Sequence, residues 1–159
     1  MQKLIPGCCL LLLSILLLGG CIAGFSRSAE VERGRYLIEI MGCNDCHTPD
    51  YMARGGDVPE EQWLTGGLPG FHGSWGTAYP TNLRLLMVEL SLQDWIVLAK
   101  RMRQDSPMAW IMLPKLDDKD LVAIYNFVRY LGPAGEPARP RLPAGVTPDT
   151  DYLNFPDPH

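Results

Sequence analysis

Apolar residues recur at helical spacing in three stretches of the chain, and these stretches predict three main helices. The first covers residues 30–42 and leads directly into Cys43; the second covers about 91–103, and the third 117–131. Ser91 opens the second with a capping box. No stretch alternates apolar and polar residues convincingly, so we predict no strand, and the expected fold class is all-α.

Glycine and proline dominate two other regions. Residues 48–82 are rich in both and predict a long loop. A long loop with much aromatic surface is expected to wrap an apolar ligand. This one carries five such side chains: Tyr51, Trp63, Phe71, Trp75 and Tyr79. From Pro133 onward the chain holds half of its 14 prolines, which favours an extended strap or a partly disordered end.

The N-terminus is typical of an export signal. Lys3 precedes an apolar run over residues 8–18 that is too short for a bilayer-spanning helix of about 20 residues. The run ends in Leu-Gly-Gly-Cys, which resembles a bacterial lipobox and predicts that Cys21 is lipidated. The alternative is an ordinary signal peptide cleaved within residues 24–29.

These patterns divide the chain into four parts. We expect a lipoprotein signal peptide over 1–20, a tether over 21–29, one main folded domain over 30–132 and a proline-rich extension over 133–159. The formal net charge of −4 becomes one unit more negative when Lys3 is removed with the signal. This acidic balance argues against nucleic acid and favours a partner with a basic docking patch.

Cys43, Cys46 and His47 form a Cys-x-x-Cys-His run, the attachment pattern of a c-type haem. Two thiols on one helical turn can form thioethers with the two vinyl groups of one porphyrin, and the adjacent imidazole can bind iron as the proximal ligand. The sequence therefore predicts one covalently attached haem c.

The cysteine count supports this prediction. Cys8 and Cys9 leave with the signal and Cys21 takes lipid, so no thiol remains unexplained. A redox pair or half of a zinc site is the alternative for Cys43 and Cys46. The chain has no second cysteine pair, only three histidines and no βαβ pattern, and these features disfavour both alternatives.

A haem in an electron carrier needs a sixth ligand, for which Met and His are the common choices. Met108 and Met112 lie between the last two predicted helices, in a segment bounded by Pro107 and Pro114. We favour Met108 and keep Met112 as the alternative; both could also only pack on the ring edge. The remaining candidates are His72 and the terminal His159.

The ring of His47 needs an acceptor for its second N–H, because that hydrogen bond sets the orientation of an iron-binding imidazole. The backbone carbonyl of Pro59 or Pro69 is the predicted acceptor.

Several motifs together resemble class I (mitochondrial-type) c cytochromes, particularly the cytochrome c subunits of bacterial periplasmic dehydrogenases. They are Gly34-Arg35-Tyr36-Leu37, Cys43 to Thr48, Gly73 to Tyr79 with Thr81-Asn82-Leu83, and Ser91 to Trp95 followed by Met108-Ala109-Trp110 and residues 118–131. The resemblance covers about residues 30–132. It implies a small all-α class I fold with three main helices around one haem.

The resemblance also implies roles for individual residues. Met108 would be the axial methionine, although the family commonly has Met-Pro and this chain has Pro107 before the methionine instead. The first and last helices would cross near Gly34, against Ile124 and Phe127 or Val128. The haem propionates would lie near Trp75, Tyr79 and Asn82.

The expected function is single-electron transfer by a lipid-anchored protein on the periplasmic side of a membrane. Its redox partners would be a donor dehydrogenase and an acceptor oxidase or second cytochrome. One alternative is a tightly bound electron-accepting subunit of a periplasmic dehydrogenase. Another is a haem sensor or peroxidase-like protein with an open sixth position, which would need a distal acid–base group. On the leading hypothesis the protein is not an enzyme.

Overall fold

A computed structural model describes residues 29–102 and 112–155, which contain five α-helices. We label them α1 (29–40), α2 (Cys43–His47), α3 (Leu83–Glu89), α4 (Leu92–Arg101) and α5 (Asp118–Leu131). Two single 3₁₀ turns, Glu60–Gln62 and Leu113–Lys115, complete the helical structure of this part.

The prediction of an all-α fold with three main helices is wrong, because the described residues also form a three-stranded mixed sheet. Its strands are β1 (Gly70–Gly73), β2 (Gly76–Ala78) and β3 (Tyr152–Asn154), in the order β2-β1-β3. β1 and β2 form an antiparallel hairpin, and β3 pairs with β1 in parallel.

The sequence did not predict these three strands, because each contains only three or four residues. β1 and β2 are also rich in glycine, so neither shows a period of two. β3 lies in the predicted strap, and its three residues are all exposed. It pairs with β1 through backbone bonds between residues 82 positions apart in sequence, and such pairing leaves no local signature.

Residues 133–155 form the extended strap that the prolines predict. Thr77 and Leu142 exchange two backbone hydrogen bonds of 2.9 and 3.0 Å, and Gly70 N–H donates to the Asp151 carbonyl at 3.0 Å. Gly76 has φ 99°, and a Cβ on it would lie 2.6 Å from the carbonyl carbon of Pro143. The strap therefore lies directly against the hairpin.

The first predicted helix does not continue into the cysteine motif. It ends at residue 40, and Gly42 takes a left-handed conformation with φ 67° before α2 begins. A left-handed residue cannot continue a right-handed helix, and glycine adopts this conformation at little cost. The two helices therefore have separate directions.

The second and third predicted helices lie close to where the sequence places them. The Ser91 hydroxyl caps α4 by accepting from Asp94 N–H at 3.2 Å, and Gly132 ends α5 with φ 72°. Helix α3 was not predicted. Its signal is Asn82, whose side-chain oxygen accepts from Leu85 N–H at 3.1 Å, followed by apolar Leu83, Leu86 and Met87.

Helix α5 is central to the core and packs against α3 and α4. Its contact with α1 is at Gly34, where an added Cβ would lie 2.7 Å from Phe127 Cβ and would also clash with the Ala123 backbone. The expected crossing of the first and last helices at Gly34 is therefore confirmed. The Arg33–Asp120 ion pair at 3.0 Å lies beside this crossing.

No helix in residues 29–102 or 112–155 is both long enough and apolar enough to cross a membrane. The predicted lipidation site Cys21 and the preceding signal lie outside the described residues.

Candidate functional site

The two cysteines of the motif lie on the same face of α2, because positions three apart are neighbours on a helical turn. Both are free thiols and partly buried. His47 is the last residue of α2 and is 6 % exposed. All three side chains line one cavity of about 360 Å³. The structure thus places the predicted attachment residues in a single site.

The cavity is enclosed by parts of the chain that are far apart in sequence. Phe71 and Tyr79 come from the hairpin region, Met87 from α3, and Leu98 and Met102 from the end of α4. None of the lining residues in the described part of the chain is Asp, Glu, Lys or Arg. Its volume lies in the range of small-molecule and cofactor sites, about 300–1,000 Å³. The site therefore suits a largely apolar ligand.

Burial controls the protonation of the two thiols. It raises the pKa of Cys43 to about 12 and also raises the pKa of Cys46. Both are protonated at neutral pH, whereas redox-active and metal-binding cysteines depend on the thiolate. Residues 29–102 and 112–155 also hold no cluster of three His, Cys, Asp or Glu side chains that could bind a metal ion.

The imidazole of His47 is oriented by the backbone of the segment before α3. Its Nδ1 lies 2.8 Å from the carbonyl oxygen of Thr81, which can only accept, so Nδ1 carries a proton. Burial lowers the pKa of His47, and the hydrogen bond to Thr81 opposes this effect. The neutral ring therefore has its lone pair on Nε2, the form in which imidazole binds a metal. The predicted acceptors Pro59 and Pro69 are wrong.

The predicted aromatic lining is only partly correct. Phe71 and Tyr79 line the cavity. Trp63 packs edge-on against Tyr51 and against Phe127 in the core, with ring centroids 6.1 and 6.3 Å apart. Trp75 instead packs against Phe155 of the strap, at 6.5 Å. The loop therefore divides its aromatic side chains between the core, the cavity and the strap.

Asn82, which the resemblance placed near the propionates, has structural partners. Besides capping α3, its amide donates to the carbonyls of Ala134 and Glu136 at 2.8 and 3.1 Å. Its side chain is 2 % exposed. These bonds attach the start of the strap to the segment that orients His47.

The structure describes only two of the four candidates for the sixth iron ligand, and neither of these lines the cavity. Met108 and His159 lie outside the described residues. Met112 is 48 % exposed and does not line the cavity. His72 is bonded through Nδ1 to the Thr77 hydroxyl at 2.8 Å and also lies outside the lining. Met102 and Leu113, which flank the segment carrying Met108, both line the cavity.

Sequence reasoning missed three contributions to this site. The Thr81 carbonyl has no side-chain signature and could not have been found. Met87 and Met102 lie in apolar stretches that are typical of core packing, yet both line the cavity. The helical pattern after Asn82 could have identified α3 and hence Met87.

Comparison with known proteins identifies no relative of this chain. No protein-family model matches the chain, and searches of curated proteins and of solved structures return no match.

Proposed function

We propose that this protein binds one haem covalently through Cys43 and Cys46, with His47 as an axial iron ligand, and that it carries single electrons. The observation that supports this most strongly is the convergence of these three side chains on one apolar cavity. The proposal rests on this site and not on an all-α fold.

The residues present fit a haem. The cavity wall carries no charged side chain in the described part of the chain, as suits a porphyrin face. Cys43 and Cys46 would hold the porphyrin through thioether bonds to its two vinyl groups, an addition in which each thiol would give its sulfur to one vinyl carbon and its hydrogen to the other. His47 presents a neutral imidazole whose second nitrogen already has a fixed acceptor in Thr81.

Met108 is proposed as the second axial ligand. The segment that contains it starts after Met102 and ends before Leu113, both of which line the cavity, so its ends are anchored at the site. Met108 is six residues from Met102 and five from Leu113, and a stretch of five or six residues can span up to about 17–20 Å. The exposure of Met112 makes it the weaker candidate.

With His47 and Met108 both holding the iron, no coordination position would remain open for a substrate, and this would favour an electron carrier over an enzyme or sensor. Haem supplies one-electron chemistry between Fe(III) and Fe(II) when bound, and the protein sets its potential, exposure and docking. Leu98 lines the cavity and is 39 % exposed, so the cavity reaches the surface where a partner could approach. Lipidation of Cys21 would confine the carrier to a membrane surface and raise its effective concentration for membrane partners.

The decisive experiment is expression in a host that matures c-type haem. We expect wild-type protein to retain haem after denaturation, and a Cys43→Ser, Cys46→Ser double variant to lose it completely. Asp45→Ser is the matched control, because Asp45 lies between the cysteines and is exposed. Wild-type protein that folds in this host without bound haem would overturn the proposal.

A further inference from the structure

Leu64 is a buried, bulky residue with a left-handed backbone conformation. Its φ is 62°, in the left-handed region, and its side chain is fully buried. A bulky residue in this conformation is strained and persists only where neighbouring contacts hold it. For Leu64, one of those contacts comes from the residue that follows the cysteine motif.

Thr48, which follows His47, supplies the first of these contacts. Leu64 N–H donates to the Thr48 hydroxyl oxygen at 2.8 Å, and that hydroxyl donates to Asn44 Oδ1 at 2.7 Å. Thr48 is 3 % exposed and Asn44 is 1 % exposed. The three residues form a buried chain of hydrogen bonds in which Thr48 is both donor and acceptor.

The second contact connects Leu64 to the segment that orients His47. The Leu64 carbonyl accepts from Leu83 N–H at 2.9 Å, two residues after Thr81. Gly66 N–H donates to the His47 carbonyl at 2.7 Å, and Gly67 N–H donates to the Pro80 carbonyl at 3.3 Å. Residues 64–67 therefore lie between the backbone of His47 and the segment that carries its ring acceptor.

Gly66 shows how close this packing is. A Cβ on Gly66 would lie 2.7 Å from both the Pro80 carbonyl oxygen and the Asn82 nitrogen. Residues 64–67 therefore set the distance between α2 and the Thr81 carbonyl, and the bond from Leu64 to Thr48 is one of the contacts that hold these residues in place.

We propose that Thr48 is a positioning residue that, through Leu64, fixes the ring orientation and the basicity of His47. The inference rests on the proposed role of His47 as an iron ligand. The Thr48 hydroxyl bonds to Leu64 and Asn44, and it acts on His47 by holding the connecting segment in its strained conformation.

Loss of the Thr48 hydroxyl should shift the midpoint potential of the haem in one direction. Leu64 N–H and Asn44 Oδ1 both lose a buried partner, and the positive φ of Leu64 is no longer held. A less constrained Thr81 carbonyl accepts a weaker hydrogen bond from His47 Nδ1. Because that bond makes the ligating nitrogen more basic and so favours Fe(III), we expect the midpoint potential to rise.

The test compares Thr48→Val, which keeps the shape and removes the hydroxyl, with Thr48→Ser, which keeps the hydroxyl. The readouts are covalent haem content, the midpoint potential and the hyperfine-shifted proton NMR spectrum of the ferric protein, which reports the imidazole orientation. We expect Thr48→Val to raise the potential and displace or broaden the shifted resonances, and Thr48→Ser to match the wild type.

A core variant separates positioning from general destabilisation. Val128 is 1 % exposed and does not line the cavity, so Val128→Ala should lower stability while leaving potential and spectrum unchanged. Wild-type potential and spectrum in Thr48→Val would overturn the inference. If Thr48→Val does not fold, Thr48→Ala must show the same shifts. Absence of covalent haem from the wild type would instead count against the proposed function.

Discussion

His47 Nδ1 lies 2.8 Å from the carbonyl oxygen of Thr81, 34 residues further along the chain. This bond gives the buried imidazole one tautomer and one direction. It also connects α2, which carries the cysteine motif, to the segment before α3, which forms one wall of the cavity. The bond therefore links the local cysteine motif to the tertiary structure.

Met108→Ala should remove the sixth ligand. In ferric protein we expect loss of the weak long-wavelength charge-transfer band from methionine sulfur to iron, together with a lower midpoint potential, because a thioether favours Fe(II). Met112→Ala is the control and should keep the band, since Met112 is 48 % exposed and outside the cavity lining. Loss of the band in Met112→Ala with its retention in Met108→Ala would reverse the assignment.

Gly34→Ala should lower the free energy of unfolding by roughly 1–3 kcal/mol, because the added methyl group would force α1 away from α5. Urea unfolding of the haem-loaded protein measures the change. Ile40→Ala on α1 is the control; Ile40 is 58 % exposed, and we expect a change within about 0.5 kcal/mol. Equal stability of the two variants would contradict the close helix crossing.

Gly76→Ala should detach the strap from the hairpin. Gly76 has φ 99° and lies against Leu142 and Pro143, whereas Gly145 has φ 80° and open space around it. Gly145→Ala therefore isolates the conformational cost of about 1 kcal/mol, and Gly76→Ala adds a steric clash. We expect faster hydrogen exchange at the Thr77 and Leu142 amides only in Gly76→Ala. Unchanged exchange there would show that the bridge does not depend on this contact.

Arg84→Met should cost about 2–4 kcal/mol of stability. The buried guanidinium, 5 % exposed, donates to the Glu61 carbonyl at 2.6 Å and to the carbonyls of Leu131 and Gly132. It thereby caps the end of α5, where a cation is favourable. The measurement is the melting temperature from thermal unfolding. Arg54→Met is the control, because Arg54 is exposed and its loss should change the melting temperature little. Similar melting temperatures for both variants would refute this capping role.

The sequence by itself determined the features that depend on neighbouring residues. The spacing of Cys43, Cys46 and His47 places them on one turn, and α4 and α5 lie where their periodicity and the residues at their ends predict. The crossing at Gly34 is implied only by the family resemblance, and the structure brings α1 and α5 into close contact there.

Only the tertiary structure decided the mixed sheet, the acceptor for His47 and the division of the loop aromatics. β3 pairs with β1 across most of the domain, and Thr81 contributes a backbone carbonyl that any residue would provide. Strands of three or four residues are too short to show a period. Backbone hydrogen bonds between distant segments depend on how the chain packs, and they leave no mark on the identity of the residues that make them.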